Sequence, residues 1–337
     1  MSLGRKGIPG PGFVQGGGTA KILRLLPAVV LAVAIAGAVF VVPLVNHSQG
    51  GGDWYRGLLG GSGLYRIDVV FARIVPFLIG AATAAALLER GRRQHRAVNT
   101  TESLRRHELS EVLTHWLNAV GIGLGLMTAA WLKRWFDRPF SLETTYIIHF
   151  VGAGMTLMAV AHHLTYELVG GGGGLLPRKV ADFKNALAEL ASYTGVYRGV
   201  RGAFGIQLPV VIRRPVQRLL RKLNIVPDPA GKYLATEKVL SYTVWTVLIG
   251  VVVLTGLVKT LNYVIAVPGG VRQPATFLHD GATIFLVVML GVHVAALVLV
   301  PRNWPLLKSM VTTRISRAYA RQHLPLWADE EETSERS

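Results

Sequence analysis

The stretch FLHDGATIFLVVMLGVHVAALVLV, residues 277–300, decides the fold class of the chain. It is almost entirely apolar and is long enough to cross a hydrocarbon core of roughly 30 Å as a helix. Its two histidines, His279 and His293, lie 14 residues apart. At about 100° and 1.5 Å per residue, they return to within roughly 40° of one helix face, about 21 Å apart along the axis. We therefore expect one imidazole near each side of a membrane.

The rest of the composition agrees with a membrane protein. Of 337 residues, 51% are hydrophobic and only 16% are charged, and the mean hydropathy is +0.40. Segments of spanning length must be helical, because lipid offers no partners to the backbone. The sequence predicts an all-α membrane protein with six transmembrane helices, at Ile22–Val45, Ile67–Leu88, Leu109–Leu132, Thr144–Val169, Val239–Leu261 and Phe277–Val300.

The first segment has a basic start, as a secretory signal peptide does. Its apolar run is longer than that of a typical signal peptide, and no clear A-x-A cleavage site follows. We therefore expect a retained helix.

The charges predict the orientation. The chain has 36 Lys and Arg against 19 Asp and Glu, a net charge of +17. The basic residues concentrate in the connections Leu88–Glu108 and Gly170–Lys238 and in the C-terminal region. The positive-inside rule places all three in the cytoplasm, together with both termini, and explains the charge without a nucleic-acid partner. The chain has no cysteine, so it cannot ligate an iron–sulfur cluster through Cys or attach haem through a CxxCH motif.

Histidines in the last four predicted spans indicate the chemistry. The six are His115, His149, His162, His163, His279 and His293. Ionisable residues inside spans are costly and usually functional, and neutral imidazole is a good axial ligand of haem iron. Two haems at two depths would need ligands opposite both histidines of the last span. His149 is expected to face His279 on the outer side, whereas either His115 or His163 could face His293 on the inner side. Spacing leaves that choice open. It places His162 on a different helix face from His149.

Two other functions are compatible with spans that contain histidines. A transporter could relay protons through them, although such proteins usually show internal repeats and broken helices, which this sequence does not. A haem-free membrane anchor of a partner enzyme would keep the spans but would not need four aligned histidines.

An ordered set of motifs over Arg105–Trp327 resembles a known family. The set runs from His115-Trp116 and His149-Phe150-Val151-Gly152 through Lys232-Tyr233, Lys238 and Thr255-Gly256 to the His279/His293 pair and residues 315–321. It is similar to the cytochrome b (gamma) subunit of membrane-bound formate dehydrogenases and of thiosulfate reductase-type molybdenum oxidoreductases. The chain accordingly divides into an N-terminal region with two helices (1–104), a four-helix dihaem bundle (105–327) and an acidic tail (328–337).

The resemblance implies a ligand set and a function. It implies two haem b groups, the outer held by His149 and His279 and the inner by His115 and His293, with His162 and His163 as non-ligands. Electrons would arrive outside from an iron–sulfur (beta) subunit, served by a molybdenum catalytic (alpha) subunit, and would reduce menaquinone or ubiquinone near the cytoplasmic face of a bacterial inner membrane. Quinone reduction would be the chain's own step, and substrate oxidation would not be. The quinone contacts cannot be carried over, because Leu234 and Glu237 stand where relatives often have Asn and Gln.

Overall fold

The computed structural model describes residues 28–32, 35, 63–92, 99–171, 177, 179–197, 207–226, 228–263 and 266–336. Residues 28–32 are helical. Most of the first predicted span, 22–45, lies outside the described residues. Its retention as a helix therefore stays a prediction.

Ten helices and two short strands follow in the described residues from 63 onward. They are α1 (Gly63–Arg92), β1 (Ser103–Arg105), α2 (Leu109–Leu132), α3 (Leu142–Tyr166), α4 (Val180–Tyr193), α5 (Val210–Lys222), α6 (Val244–Leu261), α7 (Gly269–Val298), α8 (Trp304–Thr312), β2 (Arg314–Ser316), α9 (Arg317–His323) and α10 (Pro325–Arg336). Single π-helical segments, Glu167–Gly171 and Glu237–Thr243, extend α3 and precede α6, and a 3-10 turn, Pro301–Asn303, precedes α8.

Five helices are long and apolar enough to cross a membrane. Their spanning segments are Val70–Glu89, Leu109–Leu132, Leu142–Val169, Glu237–Leu261 and Gly269–Val298. The predicted all-α membrane class is therefore confirmed. The predicted total of six spans stays a prediction, because the first lies largely outside the described residues.

Local sequence signals set the ends of the helices. Glu108 and Glu111 form a capping box at the start of α2. The hydroxyl of Ser141 accepts from the Thr144 backbone N–H at 3.1 Å and caps α3. Each device satisfies backbone donors that have no partner within the helix.

The spanning helices pack as two groups. α3 lies between α1 and α2, and α6 pairs along its length with α7. α2 and α3 approach most closely at two glycines, where a Cβ added at Gly121 would lie 2.8 Å from the Gly152 carbonyl oxygen. Small residues allow such approaches of helices in lipid. α6 contacts α1 and α3, whereas α7 has no extended backbone contact with α2 or α3 among the described helices.

A compact cap joins three distant parts of the chain at one end of the bundle. β1 pairs antiparallel with β2, with Leu104 opposite Ile315. We use "the cap" for β1, β2, α8, α9, α10 and residues 228–236. Its apolar core consists of Leu104, Leu234, Leu306, Ile315, Ala320, Leu324, Trp327 and Ala328. Described parts of the three basic segments that were predicted to be cytoplasmic thus meet in the cap.

The cap differs in detail from the predicted division of the chain. The predicted boundary after residue 104 divides the strand β1, which covers Ser103–Arg105 and pairs with β2. The described residues of the predicted acidic tail, 328–336, continue α10. Two of their carboxylates are paired with arginines, as Glu335 accepts from Arg317 at 2.6 Å and Glu332 from Arg321 at 2.8 Å.

The helix α4 lies in a stretch whose apolar side chains recur at helical spacing. Its buried side, which includes Ala186 and Ala188, faces the protein. The carboxylate of Glu189 accepts from the backbone N–H and the hydroxyl of Thr236, at 3.0 and 2.8 Å. The apolar side chains that gave the spacing are all exposed, at Val180, Phe183, Leu187 and Leu190.

The close approach of α2 and α3 predicts a sharp contrast between two glycines. In Gly121→Ala, the new methyl group would lie 2.6 Å from the Thr156 hydroxyl and 2.8 Å from a backbone carbonyl. We expect a loss of about 1–3 kcal/mol in the free energy of unfolding, measured by denaturant titration in detergent, because overpacking forces the helices apart. Gly123→Ala is the control, since no described heavy atom lies within 4 Å of its Cβ position. Equal stability of the two variants would contradict the close approach.

Candidate functional site

Four of the histidines come together as two pairs. His149 on α3 lies within electrostatic range of His279 on α7. His115 on α2 is in the same relation to His293, also on α7. Each pair thus joins α7 to a helix with which it has no extended packing contact. As iron ligands, these residues stay a prediction.

The orientation of His279 is fixed by the neighbouring helix α6. Its Nδ1 lies 3.0 Å from the backbone carbonyl oxygen of Val252 and 3.1 Å from the hydroxyl of Thr255. A carbonyl oxygen can only accept a hydrogen bond, so Nδ1 carries the proton and Nε2 holds the lone pair. Metal-binding histidines typically donate one ring N–H in this way and bind through the other nitrogen.

His149 is held by the same arrangement on the other helix pair. Its Nδ1 lies 2.9 Å from the hydroxyl of Thr128. That hydroxyl donates its own proton to backbone carbonyls of α2, the nearer being that of Leu124 at 2.6 Å, so it accepts from the imidazole. The lone pair of His149 is therefore on Nε2, as it is in His279.

The two threonines are positioning residues that the sequence analysis did not assign. Thr255 entered only as part of the Thr255-Gly256 motif, and Thr128 was not singled out. The available signal was a hydroxyl side chain inside an apolar span. That signal is weak, because threonine in a membrane helix commonly bonds to the carbonyl of its own preceding turn, as both residues do here.

Tryptophans flank the inner pair. The His115 ring lies edge-on to Trp116, with 5.5 Å between centroids, and His293 lies edge-on to Trp245 at 6.1 Å. The indole N–H of Trp116 donates to the Met310 carbonyl at 2.7 Å, which ties this end of α2 to α8 of the cap. Among the described residues, neither imidazole has a hydrogen-bond partner, so the chain leaves both rings free to bind a ligand.

His163 and His162 have other partners. His163 Nε2 lies 2.6 Å from the Tyr242 hydroxyl, and its charge interacts with His162 and Glu111. His162 lies between Glu89 and Thr114, with 3.3 Å on each side. The nitrogen that His163 would need for iron is thus engaged, which favours His115 as the residue opposite His293.

The residues present fit a flat macrocycle whose metal is held by two histidines. Two neutral imidazoles per site, with Nδ1 bonded in the outer pair, are the donor set of a b-type haem. Several glycines of α2, α6 and α7 have no described heavy atom within 4 Å of their Cβ positions, namely Gly123, Gly125, Gly250, Gly281 and Gly291. No cluster of three or more His, Cys, Asp or Glu side chains that could hold a metal ion by themselves occurs in the described parts of the chain.

A partly buried ion pair lies between the cap and the end of the bundle next to it. The Arg106 guanidinium, whose side chain is 2% exposed, donates to both carboxylate oxygens of Glu237 at 3.0 and 2.9 Å. Glu237 also accepts from the Leu234 backbone N–H at 2.9 Å. Glu237 is therefore a bonded partner of Arg106 and not a freely solvated residue at a helix start.

Burial also shifts the pKa of two cap-side groups outside the spans. It raises the pKa of Glu189, against the hydrogen bonds from Thr236 that lower it. Burial lowers the pKa of His107, which lies 3.4 Å from Glu111. Both groups are desolvated. His107 lies just before the start of α2, and Glu189 is bonded to Thr236, the residue before the Glu237–Thr243 segment.

One comparison with known proteins finds a family similarity over about a third of the chain. Residues 209–313 match the family model of prokaryotic cytochrome b561. The match contains His279 and His293 and leaves His115 and His149 outside. It supports a cytochrome b family, whose members bind haem b, typically two, and transfer electrons in membranes. No curated protein matches the chain. The finer resemblance to formate dehydrogenase gamma subunits stays a prediction.

The Arg106–Glu237 pair predicts a stability effect. Glu237→Gln leaves a buried guanidinium without its counter-charge, so we expect a loss of about 3 kcal/mol in the free energy of unfolding. Denaturant titration in detergent measures it, and Glu143→Gln, at an exposed position on α3, is the control. A loss no larger than that of the control would show that the pair is solvated.

Proposed function

We propose that the chain is a membrane dihaem cytochrome b subunit. In this role it carries electrons from an extracytoplasmic iron–sulfur subunit of a formate dehydrogenase-like oxidoreductase to membrane quinone. The observation that carries the proposal is that each histidine of α7 is paired with a histidine of α2 or α3. In the pair of His149 and His279, the chain itself holds the Nδ1 protons. The cytochrome b561 match supports the same chemistry.

The proposed ligands divide by depth. His149 and His279 would hold the outer haem, and His115 and His293 the inner one. The haem iron supplies reversible one-electron chemistry when bound. The chain supplies the imidazole lone pairs, the ring orientations set by Thr128 and Thr255, and apolar surroundings. The ion pair between Lys133 and Asp280 joins α2 to α7 next to His279 and so helps to hold the outer pair together.

The proposed orientation puts the cap in the cytoplasm of a bacterial cell, with the inner membrane spanned by the bundle. The basic segments of the cap side support it. The iron–sulfur and molybdenum subunits would then bind at the opposite end, near His149 and His279. Menaquinone or ubiquinone would react on the cap side, where His163, Tyr242 and the Arg106–Glu237 pair supply polar groups near the inner histidines.

Haem content tests the proposal directly. We expect two b-type haems per chain in the purified protein, from the pyridine haemochrome assay and the reduced-minus-oxidised spectrum. His115→Ala should remove the inner haem and so halve the content, because an axial ligand is lost. His163→Ala is the matched control and should keep both haems. No haem in carefully purified protein would overturn the proposal in favour of a haem-free anchor, and the reverse result for the two variants would assign His163 as the ligand.

The quinone and partner parts have their own test. In vesicles, a menaquinol analogue should transfer electrons to the haems, which is measured as the appearance of the reduced b-type spectrum. An inhibitor that competes with quinone should block this electron transfer. The complex purified from native membranes should contain an iron–sulfur protein that protease removes only from the extracytoplasmic side. A full haem complement with no response to quinol would contradict the quinone assignment alone. Protease release from the cytoplasmic side would contradict the orientation.

A further inference from the structure

The helix α5, VVIRRPVQRLLRK, separates charge and apolar surface around its axis. Its basic residues are Arg213, Arg214, Arg218, Arg221 and Lys222, and it has no acidic residue. At about 100° per residue, Ile212, Leu219 and Leu223 fall within roughly 40° of one another. Four of the basic residues occupy a separate sector of about 100°. This pattern is typical of helices that lie in a membrane interface.

The apolar side of α5 is uncovered in the structure. Ile212 is 51% exposed, Leu219 56% and Leu223 51%. No residue of the helix is buried, and no described element packs along it. Two hydrogen bonds attach it to the chain that follows α4, from Gln217 to the Val196 carbonyl at 2.5 Å and from Tyr197 to the Ile225 carbonyl at 3.2 Å. We call Ile212, Leu219 and Leu223 the α5 stripe.

Three observations indicate what covers the α5 stripe. The chain is anchored by spans on both sides of α5, because α3 precedes it and α6 follows it, so a bilayer surface is always within reach. The charge of the helix is entirely positive, which suits anionic headgroups. The preceding helix α4 exposes a second apolar stripe, with Val180 74% and Phe183 50% exposed, so two successive helices of the same connection present apolar surface.

We propose that α5 lies in the headgroup region of an anionic bilayer, on the side of the cap. The α5 stripe enters the boundary of the acyl chains, and Arg214, Arg218, Arg221 and Lys222 contact anionic headgroups. This would tie the long connection between α3 and α6 to the lipid surface. The proposal goes beyond electron transfer and does not depend on haem binding.

The absence of cysteine from the chain makes a direct test simple. Leu219→Cys places a single spin label in the α5 stripe, and Arg218→Cys places one in the basic sector of the same helix. Both full-length variants are reconstituted in vesicles of phosphatidylcholine, with or without phosphatidylglycerol. Power saturation then compares the accessibility of each label to oxygen, which partitions into lipid, and to a water-soluble nickel chelate.

We expect the label at Leu219 to be accessible to oxygen and protected from nickel in phosphatidylglycerol vesicles, with the reverse for the label at Arg218. Pure phosphatidylcholine or high salt should weaken the protection. Equal nickel accessibility of the two labels with phosphatidylglycerol present would overturn the proposal. So would equal protection in both lipid mixtures, or protection of Leu219 that appears only when a partner protein is added.

The charges can be tested separately. Adding Arg214→Gln and Arg221→Gln to the Leu219→Cys protein should lower the lipid-facing population by roughly fivefold for each charge removed. Lys308→Gln, at an exposed position of α8 in the cap, is the control and should change nothing. An unchanged population in the double variant would overturn the assignment of these arginines to anionic headgroups.

Discussion

An imidazole inside a membrane span must satisfy its own polar atoms, because lipid cannot do so. In this protein the solution for the outer histidines is a hydrogen bond across a helix pair. His279 on α7 donates to α6, and His149 on α3 donates to α2. Each bond fixes one nitrogen, and by doing so it leaves the other nitrogen as the only site for a ligand. The packing of α2 with α3 and of α6 with α7 therefore also determines which nitrogen of His149 and of His279 is available to a ligand.

The two ends of the bundle are stabilised differently. At the end away from the cap, short connections and single polar contacts such as Lys133–Asp280 join the helices. At the other end, the cap adds an apolar core, a two-stranded sheet and the partly buried Arg106–Glu237 pair. The cap thus holds the starts of α2 and α6 in relation to each other. Because α2 contributes His115 to the inner pair, the position of that ring depends on packing outside the membrane.

The sequence predicted the parts that depend on local pattern. Apolar length predicted the five described spans. The spacing of His279 and His293 predicted that α7 supplies one histidine to each pair. The contact of Leu104 with Ile315 was not predictable, because it joins residues that are far apart in the chain and neither strand carries a distinctive pattern. The helix α5 was not predicted, because its arginines were taken only as a signal of orientation. Its apolar residues nevertheless recur at helical spacing.

Spacing allowed either His115 or His163 opposite His293, and the structure adds a physical reason to prefer one. A histidine can bind iron only through a nitrogen with a free lone pair. His163 Nε2 is 2.6 Å from Tyr242, so binding iron there would break a hydrogen bond between two half-buried groups. His115 has no such bond to lose among the described residues, and it lies within electrostatic range of His293. The same reasoning applies to the outer pair, where the bonds formed are to Nδ1 and leave Nε2 available. Hydrogen bonding distinguishes histidines that spacing along a helix cannot.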